Sequence, residues 1–96
     1  MLPRISARHA KISPETKEHI EGVCEKLGQF CDEIIDCEVM IEKSKAGTGV
    51  ELVLKVPQHT LTASACDENL FKALSEARER MEVQLKKYHD RILVHR

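Results

Sequence analysis

The chain has 96 residues, 42% of them hydrophobic, and its 15 Lys and Arg residues nearly balance its 16 Asp and Glu residues. This length favours one domain built around a single core, so we expect residues 1–96 to form one unit. Trp is absent and only three side chains are Phe or Tyr, which disfavours an RNA-binding sheet that stacks bases on aromatic rings. No apolar run approaches the roughly 20 residues that cross a bilayer, and the first residues lack the apolar segment of a signal peptide, so we expect a cytoplasmic protein.

The first third of the chain predicts a strand followed by a helix. Residues 4–9 alternate, with Ile5 and Ala7 on one face, as in a β-strand. Ser13 is a good N-cap and Pro14 suits the first helical position, so a helix should begin there and continue to about residue 30. Its apolar face is formed by Ile20, Val23, Cys24, Leu27 and Cys31.

The rest of the chain predicts three more strands and a long helix. Alternating runs at 37–41 and 50–56 flank a turn at 45–49, and a second turn at 57–59 leads to a strand at 60–65. A helix over 68–93 follows, whose apolar residues recur at helical spacing at Leu70, Leu74, Ala77, Met81, Leu85, Tyr88 and Ile92.

The order β-α-β-β-β-α predicts an α+β fold. A strand-helix-strand start favours a parallel, right-handed crossover, and the two hairpins continue antiparallel. We therefore expect a single four-stranded mixed sheet with both helices packed on one face.

Charge is segregated along the chain. Residues 1–14 contain three cations and no acid, whereas residues 15–42 contain nine acids and only two lysines. On a helical wheel Arg80, Lys87 and Arg91 fall within about 40° of one another, and we call these three residues the basic stripe. Such cations often merely solvate a helix, but a local positive potential can also attract a polyanion such as structured RNA.

Motifs for catalysis or metal binding are weak. The spacings of Cys24, Cys31 and Cys37 differ from those of zinc modules, and their positions suit the core. Residues 47–49 read as a hairpin turn and not as a phosphate-binding loop. We predict no catalytic residue, metal or cofactor, although a cysteine nucleophile assisted by His9 or His59 remains an alternative.

Five segments together resemble one protein family. They are residues 12–14 entering the first helix, 26–30 leaving it, 59–65 in the last strand, and 69–74 and 84–91 in the second helix. Their order and spacing over the whole chain resemble the ribosome hibernation-promoting family, whose members are also called ribosome-associated translation inhibitors and sigma-54 modulation proteins.

The resemblance implies a stress-response factor without enzymatic activity. Members bind the small ribosomal subunit, through ribosomal RNA and ribosomal proteins, in the channel for messenger and transfer RNA, and so inhibit translation. The length resembles the short form associated with ribosome pairing and hibernation. The resemblance implies no membrane or small-molecule partner, and we expect a monomer when the protein is free.

The resemblance also implies which residues bind the ribosome. Carried over by position, they are Lys17, Lys26, Arg80, Lys86, Lys87 and Arg91. Val23, Val83 and Leu93 stand where related proteins often have Lys or Arg. This predicts weaker binding, with a flatter salt dependence than that of a strongly basic relative. The alternative is a protein-interaction modulator of a sigma factor or other regulator, acting through the acidic first helix.

Overall fold

The computed structural model describes the backbone of residues 3–94 and the side chains of residues 3–91. Its elements are β1 (Arg4–Arg8), α1 (Pro14–Phe30), β2 (Asp36–Ser44), β3 (Gly47–Val56), β4 (His59–Asp67) and α2 (Leu70–Val94). The predicted order is confirmed. The strands lie in the order β1-β2-β3-β4, with β1 parallel to β2 and the other pairs antiparallel.

Both helices begin at side chains that cap them. The Ser13 hydroxyl accepts a hydrogen bond from the Thr16 amide at 3.2 Å, and Pro14 is the first residue of α1, as predicted. At the start of α2 the Asn69 side-chain oxygen accepts from the Phe71 amide at 2.8 Å. These caps satisfy backbone amides that have no partner within the helix and so define where each helix starts.

The turn between β2 and β3 is shorter than predicted. Residues 45–49 were expected to form it, but only Lys45 and Ala46 do, because Gly47 already pairs with Ser44. Gly47 has φ 130°, and a Cβ there would lie 3.0 Å from the carbonyl oxygen of Asp67. Glycine is therefore required by the close approach of β4, a contact between residues distant in sequence.

One face of the sheet and the apolar faces of both helices form a common core. Partners in register, such as Val39 with Leu52 and Leu52 with Ala63, point to the same side and are buried. On α2 the predicted apolar face is confirmed, since Leu74, Ala77, Met81, Leu85 and Tyr88 are buried. The predicted Ile92 side chain lies outside the described residues.

Three of the four cysteines belong to this core, as predicted. Cys24, Cys31 and Cys37 are buried, whereas Cys66 on β4 is exposed. The Sγ atoms of Cys24 and Cys37 lie 3.0 Å apart, and the structure contains them as thiols.

Candidate nucleic-acid interface

The structure places every predicted binding cation at the surface. The six exposed residues are Lys17, Lys26, Arg80, Lys86, Lys87 and Arg91. Among the described side chains, only Arg80 of these six lies within ion-pair distance of an acid, 4.0 Å from Glu76. Five of the predicted cations are thus available to an anionic partner.

The cations at the start of the chain are used differently. The parallel register places Arg4 opposite Glu38 and Arg8 opposite Glu42 on the open face of the sheet. Arg4 lies 2.6 Å from Asp36 and 3.5 Å from Glu38, and Arg8 lies 3.6 Å from Glu42. The basic segment at 1–14 therefore adds little positive potential to the open face, because acids of β2 neutralise it.

The basic stripe lies on the flank of α2 that borders β4. The Arg80 guanidinium donates to the Ser64 carbonyl oxygen, and the Gln84 amide donates to the Thr62 carbonyl oxygen, each at 2.5 Å. Lys87 and Arg91 follow on the same flank at helical spacing. The three cations thus form a row along the edge of the sheet.

These two bonds provide donors for two backbone carbonyl groups at the exposed edge of β4. β4 pairs with β3 on one side only. The carbonyl groups of Thr62 and Ser64 point to the other side, away from β3, where they accept these two bonds. An unpaired strand edge is a template for pairing with another chain, and side chains that cover it prevent this. Arg80 and Gln84 therefore fix the position of α2 against the sheet as well as contributing polar surface.

The opposite flank of α2 faces α1 across a groove of about 460 Å³. Gly22 and Lys26 of α1 line it together with Ser75 and Arg78 of α2. Gly22 and Ser75 are small, which leaves room between the helices for an extended ligand. Two cations, Lys26 and Arg78, and two acids, Glu15 and Glu18, line this groove, so their formal charges balance.

Arg78 is a groove residue that the sequence analysis did not single out. Its Nε atom is buried and has no hydrogen-bond partner among the described residues, although it lies 3.5 Å from a Glu82 carboxylate oxygen. The signal in the sequence was the spacing of Arg78 and Glu82, four residues apart on a helix, which is typical of an ion pair.

The predicted cations do not all share one surface. Lys17 and Lys26 are separated by about half a turn on α1, so Lys17 points away from the groove that Lys26 lines. Lys86 lies about 120° around α2 from Arg80 and faces outward. The basic stripe along β4 is therefore the continuous part of the predicted site, and Lys26 lies apart from it in a groove of mixed charge.

The outer face of α1 has the opposite charge. Glu18, Glu21 and Glu25 fall within about 60° on the helical wheel, and we call them the acidic ridge. None of them forms an ion pair with a described residue. The helical layer thus runs from an acidic side at α1 to a basic side at α2.

Tyr88 anchors the basic end of α2. Its ring is buried and contacts the His59 ring edge-on at a centroid distance of 5.8 Å. Its hydroxyl lies 3.4 Å from both a Glu33 carboxylate oxygen and the Pro57 carbonyl oxygen. Burial and the Glu33 charge raise the pKa of Tyr88, so the phenol stays protonated and can donate its single proton to one of these oxygens. The neighbouring lysines are thereby held on a rigid element.

Within residues 3–94, no helix is long and apolar enough to cross a membrane.

Known proteins are similar to this chain in fold and in sequence. A ribosomal subunit interface protein from Coxiella burnetii superposes with a TM-score of 0.87 at 24% identity, covering 94% of this chain and 99% of that one, which shows the fold. Ribosome-associated factor Y of Haemophilus influenzae is 32% identical over 87 residues, which is 91% of this chain and 81% of that protein. The ribosome hibernation promoting factor of Pseudomonas putida is 22% identical over 91 residues, covering 95% and 89%.

The family model described as Sigma 54 modulation protein / S30EA ribosomal protein matches residues 4–93. Together with the relative from Haemophilus influenzae, this match confirms the family that the sequence resembled. The chain belongs to the Sigma 54 modulation protein / S30EA ribosomal protein family.

Proposed function

We propose that this protein is a ribosome-associated factor of the cytoplasm that binds the small ribosomal subunit in the channel for messenger and transfer RNA. By occupying that channel it inhibits translation and promotes ribosome hibernation through pairing. It acts by binding, without catalysis. Membership of the S30EA family and relatives named as ribosome-associated and hibernation factors support a ribosomal partner.

The single observation that carries the binding mode is the exposed basic stripe on a helix whose apolar face is packed in the core. Lys87 and Arg91 have no acidic partner among the described residues, and Tyr88 between them is held in the core. Phosphate contacts of this kind supply affinity for RNA without reading its sequence.

Co-sedimentation with purified small ribosomal subunits over a salt series tests the proposal. Binding should saturate and should weaken steeply as salt rises. The double charge reversal of Lys87→Glu with Arg91→Glu should abolish it. A matched control is Lys45→Glu with Lys55→Glu, because both lysines are exposed, one in the β2–β3 turn and the other on β3, and the net charge changes equally.

Binding that survives reversal of the stripe, or that falls equally in both double variants, would overturn the proposed site. Occupation of the channel is tested separately by competition. Messenger and transfer RNA bound to the subunit should exclude the protein, and unchanged affinity on subunits loaded with both would contradict that part of the proposal.

The acidic ridge supports a second candidate function, the capture of a basic protein such as a sigma factor. Glu18 and Glu25 are exposed, and none of the three ridge residues forms an ion pair with a described residue. RNA-independent binding to a purified sigma factor that is lost on reversing Glu18 and Glu21 to Lys would favour this function. Binding only to ribosomal subunits would exclude it.

A further inference from the structure

Two buried thiols meet where α1 packs on the sheet. The Sγ atoms of Cys24 on α1 and Cys37 on β2 lie 3.0 Å apart, and neither residue is exposed. A disulfide bond is about 2.05 Å long, so the sulfur atoms need to approach by only about 1 Å to become bonded. The packing of the helix on β2 has already brought the two side chains together.

The two thiols are also joined by a hydrogen bond, which affects how readily each one loses its proton. When Cys37 loses its proton, the Cys24 thiol donates a hydrogen bond to the thiolate that forms. This bond lowers the pKa of Cys37, whereas the same bond and burial raise the pKa of Cys24. Within the pair, Cys37 is therefore the sulfur that becomes the nucleophile first.

We propose that Cys24 and Cys37 form a modification site, at which a peroxide converts the two thiols into a reversible intramolecular disulfide. The proposal concerns the fold itself and does not depend on the function of the basic stripe.

The reaction balances with hydrogen peroxide as the oxidant. The Cys37 thiolate attacks one peroxide oxygen, the O–O bond breaks, and the sulfur becomes a sulfenic acid. The second oxygen leaves as hydroxide, which takes up the proton that Cys37 released and becomes water. The Cys24 sulfur then attacks the sulfenic sulfur, the S–O bond breaks, and a second water leaves with the proton of Cys24. Two thiols and one peroxide thus yield one disulfide and two waters.

Proximity selects the pair and protects it from further oxidation. A sulfenic acid on Cys37 has the Cys24 thiol beside it before a second peroxide can arrive. Cys31 is the C-cap residue that follows α1, so it lies about two helical turns, or about 10 Å, beyond Cys24. Cys66 is exposed on β4. Because burial limits access, the first step requires a small oxidant and a brief opening of the core.

The disulfide would tie α1 to the centre of the sheet. It closes a loop that contains the end of α1 and the connection to β2, which restricts the unfolded chain. We expect the oxidised protein to unfold at a temperature higher by roughly 10 °C or more, with reversal by dithiothreitol.

The experiment uses the full chain with Cys66→Ser, which removes the exposed thiol that could link two molecules. Folded protein is treated with hydrogen peroxide, and its intact mass should fall by two hydrogens without added oxygen. Trypsin leaves Cys31 and Cys37 in one peptide because residues 27–42 contain no Lys or Arg. Cleavage after Glu33 separates them, so digestion with trypsin and a glutamate-specific protease identifies the partner of Cys24.

The control variant is Cys31→Ser, which should still form the link. A peptide joining Cys24 to Cys37, together with the rise in unfolding temperature, is the expected result. The proposal is overturned if Cys24 is linked to Cys31 instead, if oxygen is added without a link, or if the thiols stay unmodified under peroxide. The link is mapped in a protein that keeps its three buried cysteines. The test therefore does not require a variant with an altered core to fold.

Discussion

Arg80 and Ser64 are joined by a hydrogen bond from the guanidinium to the backbone carbonyl oxygen, so a residue predicted to bind RNA also holds α2 against the sheet. Gln84 makes the equivalent bond to Thr62 one turn further along. Substitution of Arg80 therefore changes stability as well as charge. Lys87 and Arg91 are the cleaner probes of binding.

The two roles of Arg80 can be separated by measuring stability. Arg80→Ala should lower the free energy of unfolding by about 1 kcal/mol, because the Ser64 carbonyl loses a charged donor at a partly exposed edge. Lys87→Ala on the same flank should change it by less than about 0.5 kcal/mol. Urea unfolding of both variants is the measurement. Equal losses would show that the Arg80 bond is not formed in solution.

The salt dependence of subunit binding reports how many cations contact phosphate. Lys87→Ala should reduce the slope of the logarithm of the binding constant against the logarithm of salt concentration by about 1. Lys55→Ala, on the opposite face of the sheet, should leave the slope unchanged. The slopes come from titrations at several salt concentrations, and a reduction for Lys55 alone would place the RNA on the open face of the sheet.

Substitution by alanine at two glycines should change the free energy of unfolding in opposite directions. Gly47→Ala should destabilise the protein by about 1 to 3 kcal/mol, because φ at 130° is unfavourable for alanine and the added Cβ would meet Asp67 at 3.0 Å. Gly22→Ala should stabilise it by about 0.5 to 1 kcal/mol, because Gly22 lies within α1 and an added Cβ there has no atom within 4 Å. Denaturant unfolding measures both, and a loss of stability for Gly22→Ala would mean that the groove closes in solution.

Tyr88 is the only tyrosine in the chain, so its ionisation can be followed by ultraviolet absorbance. The folded protein should titrate above the ordinary value of 10.0, because burial and Glu33 raise the pKa of Tyr88. A pKa raised in the folded state means that this contribution to stability is present below pH 10.0 and is lost as the pH rises above it. Glu33→Gln should move the pKa part of the way back, since burial remains. An unshifted titration would show that the phenol is solvated.

Local signals were sufficient for most elements of the fold. Ser13 with Pro14 marked the start of α1, and apolar spacing marked the buried face of α2 from Leu74 to Tyr88, since both depend on residues close in sequence. The turn at 45–49 was predicted too long. Position 47 needs glycine because the Asp67 carbonyl leaves no room for a Cβ, and this contact exists only when β4 lies beside the hairpin. Glycines in a strand and in a turn look alike until their neighbours are known.

The sequence by itself determined the order of elements, the core residues and the positions of the cations along each helix, because helical and strand periodicity are properties of the local backbone. Only the tertiary structure decided which flank of each helix faces the other. It placed Lys26 and Arg78 across one groove, turned Arg80 onto the edge of β4, and brought Cys24 within 3.0 Å of Cys37. These contacts arise when helices and strands pack across the core, and no local spacing encodes the rotation and offset with which they do so.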